Sequence, residues 1–470
     1  MLILIILLAL ATRIPFILGY NFPFSFDHGR DALAVMHLIH TWQLKFIGPW
    51  TSIPGLFFGP GWYYLLAPGY LLMQGNPYAG PITMLIISLI TIWLAYKYFG
   101  VYETIIFSSA PIFIITSTSA ANPFPMVLVS LLILICLKNP NRKMWQLGLL
   151  IGLGFHFSSA LAIFYLLIIP LILGIKKIKI GWLKLIAGAG IPFIPQLLFE
   201  LKNNFIETRA VINYFIQGES QRINLGKIQI VTNSIIHELG LAILPEQKWL
   251  KITAMALVAA AIIFCWKKKK LNFVLPELVL FLIIPIIGFW WLHYNVWYVY
   301  GLMPVVVIAI GRLLKSSPKF ITYGYLGLLV IGAIKIPEQQ AGAGFLKTKL
   351  AAINYIYEQA GNQPFSSYQY LPNIYDYAYQ YLYFWQGFNG RQLPVEFSYK
   401  PGEISYVSEK PDLLKLFKKE ERPIEHIFLI IEKPENIWHY PLQSWLDNIH
   451  YSEIISQKSL GPELEVWEVK

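Results

Sequence analysis

The stretch Phe26-Asp27-His28-Gly29-Arg30-Asp31 brings two carboxylates, an imidazole and a guanidinium together in a chain where only 13% of residues are charged. A positioned carboxylate can take the proton of a hydroxyl as it attacks, and a guanidinium can hold an anion through paired N–H donors. Asp27, His28 and Asp31, with His37 and His40 nearby, offer the oxygen and imidazole ligands a divalent cation wants. His37 and His40, one turn apart, also suit the headgroup boundary of a bilayer. Asp27 has a structural alternative as well. An aspartate at a helix start accepts from the first free amides and favours the helix dipole. If a helix begins here, Asp31 lies one turn beyond Asp27 on the same face.

The elements that must position this cluster are apolar. Of 470 residues 56% are hydrophobic and 16% aromatic, with 15 Trp and 28 Tyr, which reads as a polytopic membrane protein with interfacial aromatic belts. At roughly 20 apolar residues per span there are about eleven, near 2–19, 79–97, 101–119, 123–138, 143–157, 158–175, 181–201, 249–266, 271–292, 296–314 and 319–336. The first lacks a charged leading region and a small-residue cleavage site, so it reads as a retained span. With a cytoplasmic N-terminus, the connections holding Lys97, Lys138-Arg142-Lys143, Lys176-Lys177-Lys179, Lys267 to Lys270 and Arg312-Lys315-Lys319 all fall inside. The net charge of +11 thus serves topology rather than nucleic-acid binding. Only Cys136 and Cys265 occur, both in spans, which excludes a disulfide framework.

The expected fold class is mainly α: a transmembrane helix bundle over 1–337, with external loops 20–78 and 202–248, and a soluble α/β or α+β extracytoplasmic domain over 338–470. In the first loop Ala32, Val35, Met36, Ile39 and Trp42 form an apolar stripe suited to a helix lying in the interface. Gly59-Pro60-Gly61-Trp62-Tyr63-Tyr64 follows, a turn and then an apolar stretch. The second loop carries Arg209 and Arg222 and reads as a lid or a solvated connection. Asn122-Pro123 and His293-Tyr294-Asn295 mark further external corners. In the C-terminal region Leu346 to Ala360 and Tyr375 to Trp385 read as helices, Ile427 to Ile431 as a buried strand and Leu464 to Val469 as a half-buried one. The tyrosines from Tyr368 to Tyr383 fit either core packing or sugar stacking. There is no Gly-x-Ser-x-Gly elbow and no nucleotide-type phosphate loop.

With these residues in order, the chain resembles the membrane glycosyltransferases of the GT-C class, especially the protein O-mannosyltransferase and aminoarabinose transferase branch. There a first span is followed by an external loop opening with Asp-Glu or Asp-Glu-x-Arg-Tyr, of which Asp27-His28-Gly29-Arg30-Asp31 looks like a variant. The next landmark, His/Lys-Pro-Pro-Leu-Tyr-Tyr, looks like Gly59-Pro60-Gly61-Trp62-Tyr63-Tyr64. The resemblance covers about the first 335 residues. His28 stands where the family commonly has Glu, Gly59 where it has His or Lys, and Asn122 where an acid is common.

The resemblance implies transfer of a hexose or pentose from a polyprenyl-phosphate donor to an acceptor hydroxyl of a protein, lipid or glycan on the outer face, without a cofactor. Asp27 is the expected base of an inverting displacement. Substrate contacts are expected from Arg30, Asp31, His28, Asn122, Tyr63, Arg209, Arg222 and His293, with Arg30, Arg209, Arg222 or His293 holding phosphate. Metal ligation by the Asp27 cluster is the less favoured alternative for the site. For the whole chain the rival is a transporter or lipid-linked-sugar flippase, which also places ionisable groups on membrane paths.

Overall fold

The computed structural model describes residues 1–216, 224–269, 276–336, 342–371, 375–403, 406–418, 423–433, 440–461 and 463–470. They form two compact units, each discontinuous in sequence. The first comprises Met1–Pro15, Lys45–Leu65 and Thr83–Pro337, and the second Phe16–Leu44, Leu66–Ile82 and Glu338–Lys470.

In chain order the helices begin with α1 (Leu2–Ile17), α2 (Phe26–Thr41), α3 (Gly61–Leu72), α4 (Ala79–Tyr98), α5 (Val101–Ser109), α6 (Pro111–Ile115) and α7 (Met126–Cys136). There follow α8 (Pro140–Phe157), α9 (Ser159–Ile175), α10 (Trp182–Lys202), α11 (Ile206–Ile216), α12 (Leu225–Leu241), α13 (Lys248–Lys267) and α14 (Pro276–Trp291). The apolar part closes with α15 (Met303–Ser316), preceded by a 3-10 turn from Val296, and α16 (Lys319–Ile334). Among the described residues, 5 helices are long and apolar enough to cross a membrane: Leu2–Tyr20, Ala79–Tyr98, Trp182–Lys202, Lys248–Lys267 and Val296–Ser316. Met126–Cys136, Ser159–Ile175, Glu277–Trp291 and Lys319–Ile334 are apolar but shorter.

Helix length alone does not confirm the expected count of about eleven spans, and proline explains one short element. The stretch near 101–119 is two short helices, because Pro111 has no N–H for the ladder and its ring clashes with the preceding turn. The break frees carbonyls inside an apolar unit, and Arg13 of α1 satisfies them. Its fully buried guanidinium donates to the carbonyls of Ser108 (2.8 Å), Phe107 (3.1 Å) and Phe113 (3.2 Å) and to Ser117 Oγ (2.8 Å). An arginine in the first span thus acts as a cap for a helix broken elsewhere: the freed carbonyls gain donors, and the buried cation gains acceptors. The 202–248 segment, expected as a loop, carries α11 and α12.

In the second unit α17 (Leu346–Ala360) and α18 (Tyr377–Phe388) accompany a mixed sheet of β1 (Phe365–Tyr370), β2 (Phe397–Ser398), β3 (His426–Glu432), β4 (Ile454–Gly461) and β5 (Leu464–Val469). The strand order is β2-β1-β3-β5-β4. β1 pairs parallel with β2 and β3, and β5 pairs antiparallel with β3 and β4. The continuous apolar run of β3 is buried from Phe428 onward, as expected of a strand covered on both faces.

The α2 stripe does not lie in an interface. Ala32, Val35 and Met36 are fully buried as α2 packs against α18, while Trp42 beyond them is 78% exposed. The α18 tyrosines are core: Tyr379, Tyr381 and Tyr383 are fully buried, each with its hydroxyl engaged, on Glu432, Gly75 O and Ser367 Oγ respectively.

Candidate functional site

Helix α2 starts one residue before Asp27, and Ser25 is its cap. A capping box closes the first turn: the Ser25 side chain accepts from the His28 amide, and the Ser25 N–H donates to His28 Nδ1 at 3.1 Å. His28 thus does the work that Glu or Gln does in most such boxes. Burial pushes its imidazole down to about 4, against a weaker opposing pull from Asp27, so the neutral ring accepts at Nδ1. Its Nε2 is buried with no hydrogen-bond partner.

The cap being supplied elsewhere, Asp27 is not the N-cap, contrary to the structural alternative raised by its position. It is 51% exposed, and Arg30 Nη1 reaches it at 2.6 Å. Arg30 also grips Asp31 through Nη2 (2.8 Å) and Nε (2.9 Å). The guanidinium, 11% exposed, bridges both carboxylates, and Asp31, only 4% exposed, is its buried anchor. The two acids are therefore inequivalent. One fixes the arginine; the other presents a carboxylate to its surroundings on a rigid first turn.

Gly29 sets how close this turn comes to α18. A Cβ there would lie 2.3 Å from the Ala378 backbone nitrogen, so only glycine fits. Phe26 packs on Tyr375 with ring centroids 6.0 Å apart. His37 is buried beside Asp412 (3.4 Å), and His40, itself exposed, stacks on Phe388 (3.7 Å). Among the described residues no group of three or more His, Cys, Asp or Glu side chains is arranged to hold a metal ion.

The first unit holds a separate feature, a cavity of about 580 Å³. Phe57, Phe58, Phe155, Ile163, Phe193, Leu197, Val211, Ile212, Phe215 and Leu292 make it predominantly apolar. Its polar lining includes Gln196, Glu200, Glu207, Thr208, His293 and Tyr298, and among the described residues no lysine or arginine. Glu200, at the end of α10, caps α11: it accepts from the Glu207 N–H (2.7 Å), the Thr208 N–H (3.0 Å) and the Thr208 hydroxyl (2.5 Å). Glu207 turns the other way and accepts from the Phe57 N–H at 3.0 Å. Burial pushes its carboxyl up to about 7, and the nearby Glu200 charge adds to the rise.

Of the residues expected from the sequence, Asp27, His28, Arg30 and Asp31 share one turn, while His293 lines the cavity. Arg209 is exposed on α11 and is not among the cavity-lining residues. Tyr63 is buried on α3, and Asn122 is buried with neither amide atom hydrogen-bonded. Arg222 lies outside the described residues. Gln196, Glu200 and Glu207 were not expected as site residues. Their signal was a carboxylate at the edge of an apolar span and another one helical start later, which the surrounding charges of the 202–248 segment conceal.

No protein-family model matches the sequence, and no curated protein does. Solved structures do match its fold. ArnT from Cupriavidus metallidurans in the apo state aligns over 99% of this chain and 97% of its own, with a TM-score of 0.58 and 11% identity. The same protein bound to undecaprenyl phosphate aligns over 99% and 96%, with a TM-score of 0.56 and 10% identity. The chain therefore has the ArnT-like GT-C fold that the sequence resemblance implied.

Proposed function

We propose that this chain is a membrane glycosyltransferase that moves a sugar from a polyprenyl-phosphate lipid to a hydroxyl on the outer face of the membrane. The observation that carries the reading is the near full-length likeness to ArnT, one of whose structures binds undecaprenyl phosphate, at a TM-score of 0.56. The positive connections support a cytoplasmic N-terminus and an extracytoplasmic second unit. The aromatic and aliphatic cavity suits an isoprenoid chain.

Asp27 is the proposed base. The acceptor hydroxyl gives its proton to the Asp27 carboxylate as its oxygen bonds to the anomeric carbon. The bond from that carbon to the lipid phosphate breaks with its electron pair, and polyprenyl phosphate leaves without needing an acid. Configuration inverts, and Asp27 returns its proton to water. Arg30, held by Asp31, fixes the rotamer of the base, so the carboxylate is positioned before substrate arrives.

The test is a transfer assay with purified protein and undecaprenyl-phosphate hexose or pentose carrying a radiolabelled sugar. Release of label from lipid, dependent on an acceptor, is the expected result. Translocation of intact lipid-linked sugar without release identifies the flippase alternative and overturns the assignment.

A further inference from the structure

The run from Tyr368 to Tyr383 carries seven tyrosines, and the second unit uses them unequally. Tyr368, Tyr370, Tyr377, Tyr379, Tyr381 and Tyr383 are each 6% exposed or less and belong to the core. Tyr375 is 42% exposed. Its ring is nonetheless held in place by neighbours of the same unit. Phe26 approaches it at 6.0 Å between centroids and Tyr377 at 6.1 Å, and Tyr406 packs edge-on at 5.2 Å. Tyr406 is fixed in turn, because its hydroxyl accepts from the Asp376 N–H at 2.7 Å. Phe26 immediately precedes Asp27 on the first turn of α2, so the exposed ring packs one residue away from the base. That carboxylate is 51% exposed, with Oδ1 taken by Arg30 at 2.6 Å. An ordered aromatic surface and an accessible hydrogen-bond acceptor thus stand on one short stretch of the fold.

We infer that Tyr375 is a stacking platform for a pyranose ring whose hydroxyl gives its proton to Asp27, so that the acceptor is a saccharide. This assignment rests on the glycosyltransferase reading and names the acceptor class within it. A pyranose carries its hydroxyls around the rim and a patch of C–H bonds on its face. Those C–H bonds are slightly positive and pack on the negative face of an aromatic ring, while a rim hydroxyl is left to reach the carboxylate. A serine or threonine of a peptide brings the hydroxyl without the flat apolar face. Because both the platform and the sugar ring are rigid, little ordering is lost when they meet. Tyr375 makes and breaks no bond; it is a positioning residue that aims one hydroxyl at the base.

The experiment measures binding to the full chain in lipid nanodiscs free of glycolipid and of sugar-headed detergent. Methyl β-glucoside, methyl β-galactoside and methyl α-mannoside are titrated by saturation-transfer NMR against wild type, Tyr375→Phe, Tyr375→Leu and Tyr375→Ala, with melting recorded so that binding is expressed per folded molecule. Wild type is expected to bind at least one glycoside. Tyr375→Phe keeps the ring and should stay within about twofold, whereas Tyr375→Leu and Tyr375→Ala should bind about tenfold more weakly. Leucine keeps apolar bulk without a flat face, so a leucine variant that binds like wild type overturns stacking. Absence of glycoside binding by wild type, or equal binding by the alanine variant, overturns the platform. The titration is repeated with undecaprenyl-phosphate hexose bound, and glycoside affinity is expected to stay within about twofold. Displacement by that lipid shows the donor sugar on Tyr375 and overturns the acceptor assignment. A wild type that binds the lipid but shows no Tyr375-dependent glycoside binding overturns the platform alone. A wild type that does not bind the lipid overturns the lipid-donor reading, and the acceptor role of Tyr375 with it.

Discussion

The imidazole of His156 occupies the space a side chain on Gly59 would need: a Cβ built there lies 2.3 Å from Nδ1. The same ring accepts the Gly61 N–H at 2.8 Å and donates from Nε2 to the Pro192 carbonyl at 3.0 Å. A glycine in the loop and an imidazole from α8 are therefore one packing unit. Gly59→Ala is expected to lower thermal stability, and His156→Ala to cost about 1–3 kcal/mol by orphaning two buried backbone groups. In the His156→Ala background the Gly59→Ala cost should shrink, because the colliding ring is gone. Strictly additive losses in a four-variant melting series would show that the ring is not the obstacle.

Asp27 and Ser25 separate chemistry from capping. Asp27→Asn is expected to cut sugar transfer by roughly 10²–10⁴-fold while leaving the fold intact. Ser25→Ala should cost about 0.5–2 kcal/mol of stability and leave turnover per folded molecule close to wild type. Turnover and melting measured on both variants check the pair. Wild-type transfer by Asp27→Asn would sink the base assignment.

His28 makes the capping box sensitive to acid. Its imidazole titrates at about 4 in the fold against 6.5 when unfolded. The unfolded chain therefore binds the proton first, and the contribution of His28 is full above 6.5 and lost as pH falls toward about 4. His28→Gln keeps an acceptor at the same helical position without titrating. Its melting temperature should fall less steeply over that window than that of wild type; parallel pH profiles would contradict the burial of the ring.

Glu207 has the opposite sign. Its carboxyl is raised to about 7 from 4.5, so the folded chain holds the proton more tightly. Stability from this group is full below 4.5 and is lost as pH rises through about 7. Glu207→Gln should flatten that decline and melt above wild type on the alkaline side. No change of slope on removing Glu207 would show that its carboxyl is better solvated than its burial implies.

Periodicity and run length made the long elements legible. Leu346–Ala360 is a helix and Leu464–Val469 a strand as read, because each carries an uninterrupted pattern of its own period. The Asp27 turn was legible by composition alone, since charge is scarce elsewhere. What stayed hidden depends on distant partners. Nothing near Arg13 announces that it caps a break at Pro111, and nothing near His28 says that its ring will be the acceptor in a capping box rather than a ligand. The apolar stripe of α2 has the same period whether lipid or α18 covers it, so its burial in the second unit could not be read locally.

Gly29 has a consequence for when the protein becomes competent. Its missing side chain lets the backbone of α18 press on the turn that carries Asp27, and that backbone is made long after α2. Translation delivers α2 before α18 and leaves its buried face uncovered until α18 emerges and docks. On a ribosome, the Asp27 carboxylate is made before the α18 backbone that packs against its turn. A nascent chain, or one cut before Tyr377, would carry the carboxylate without the partner that holds its helix in place.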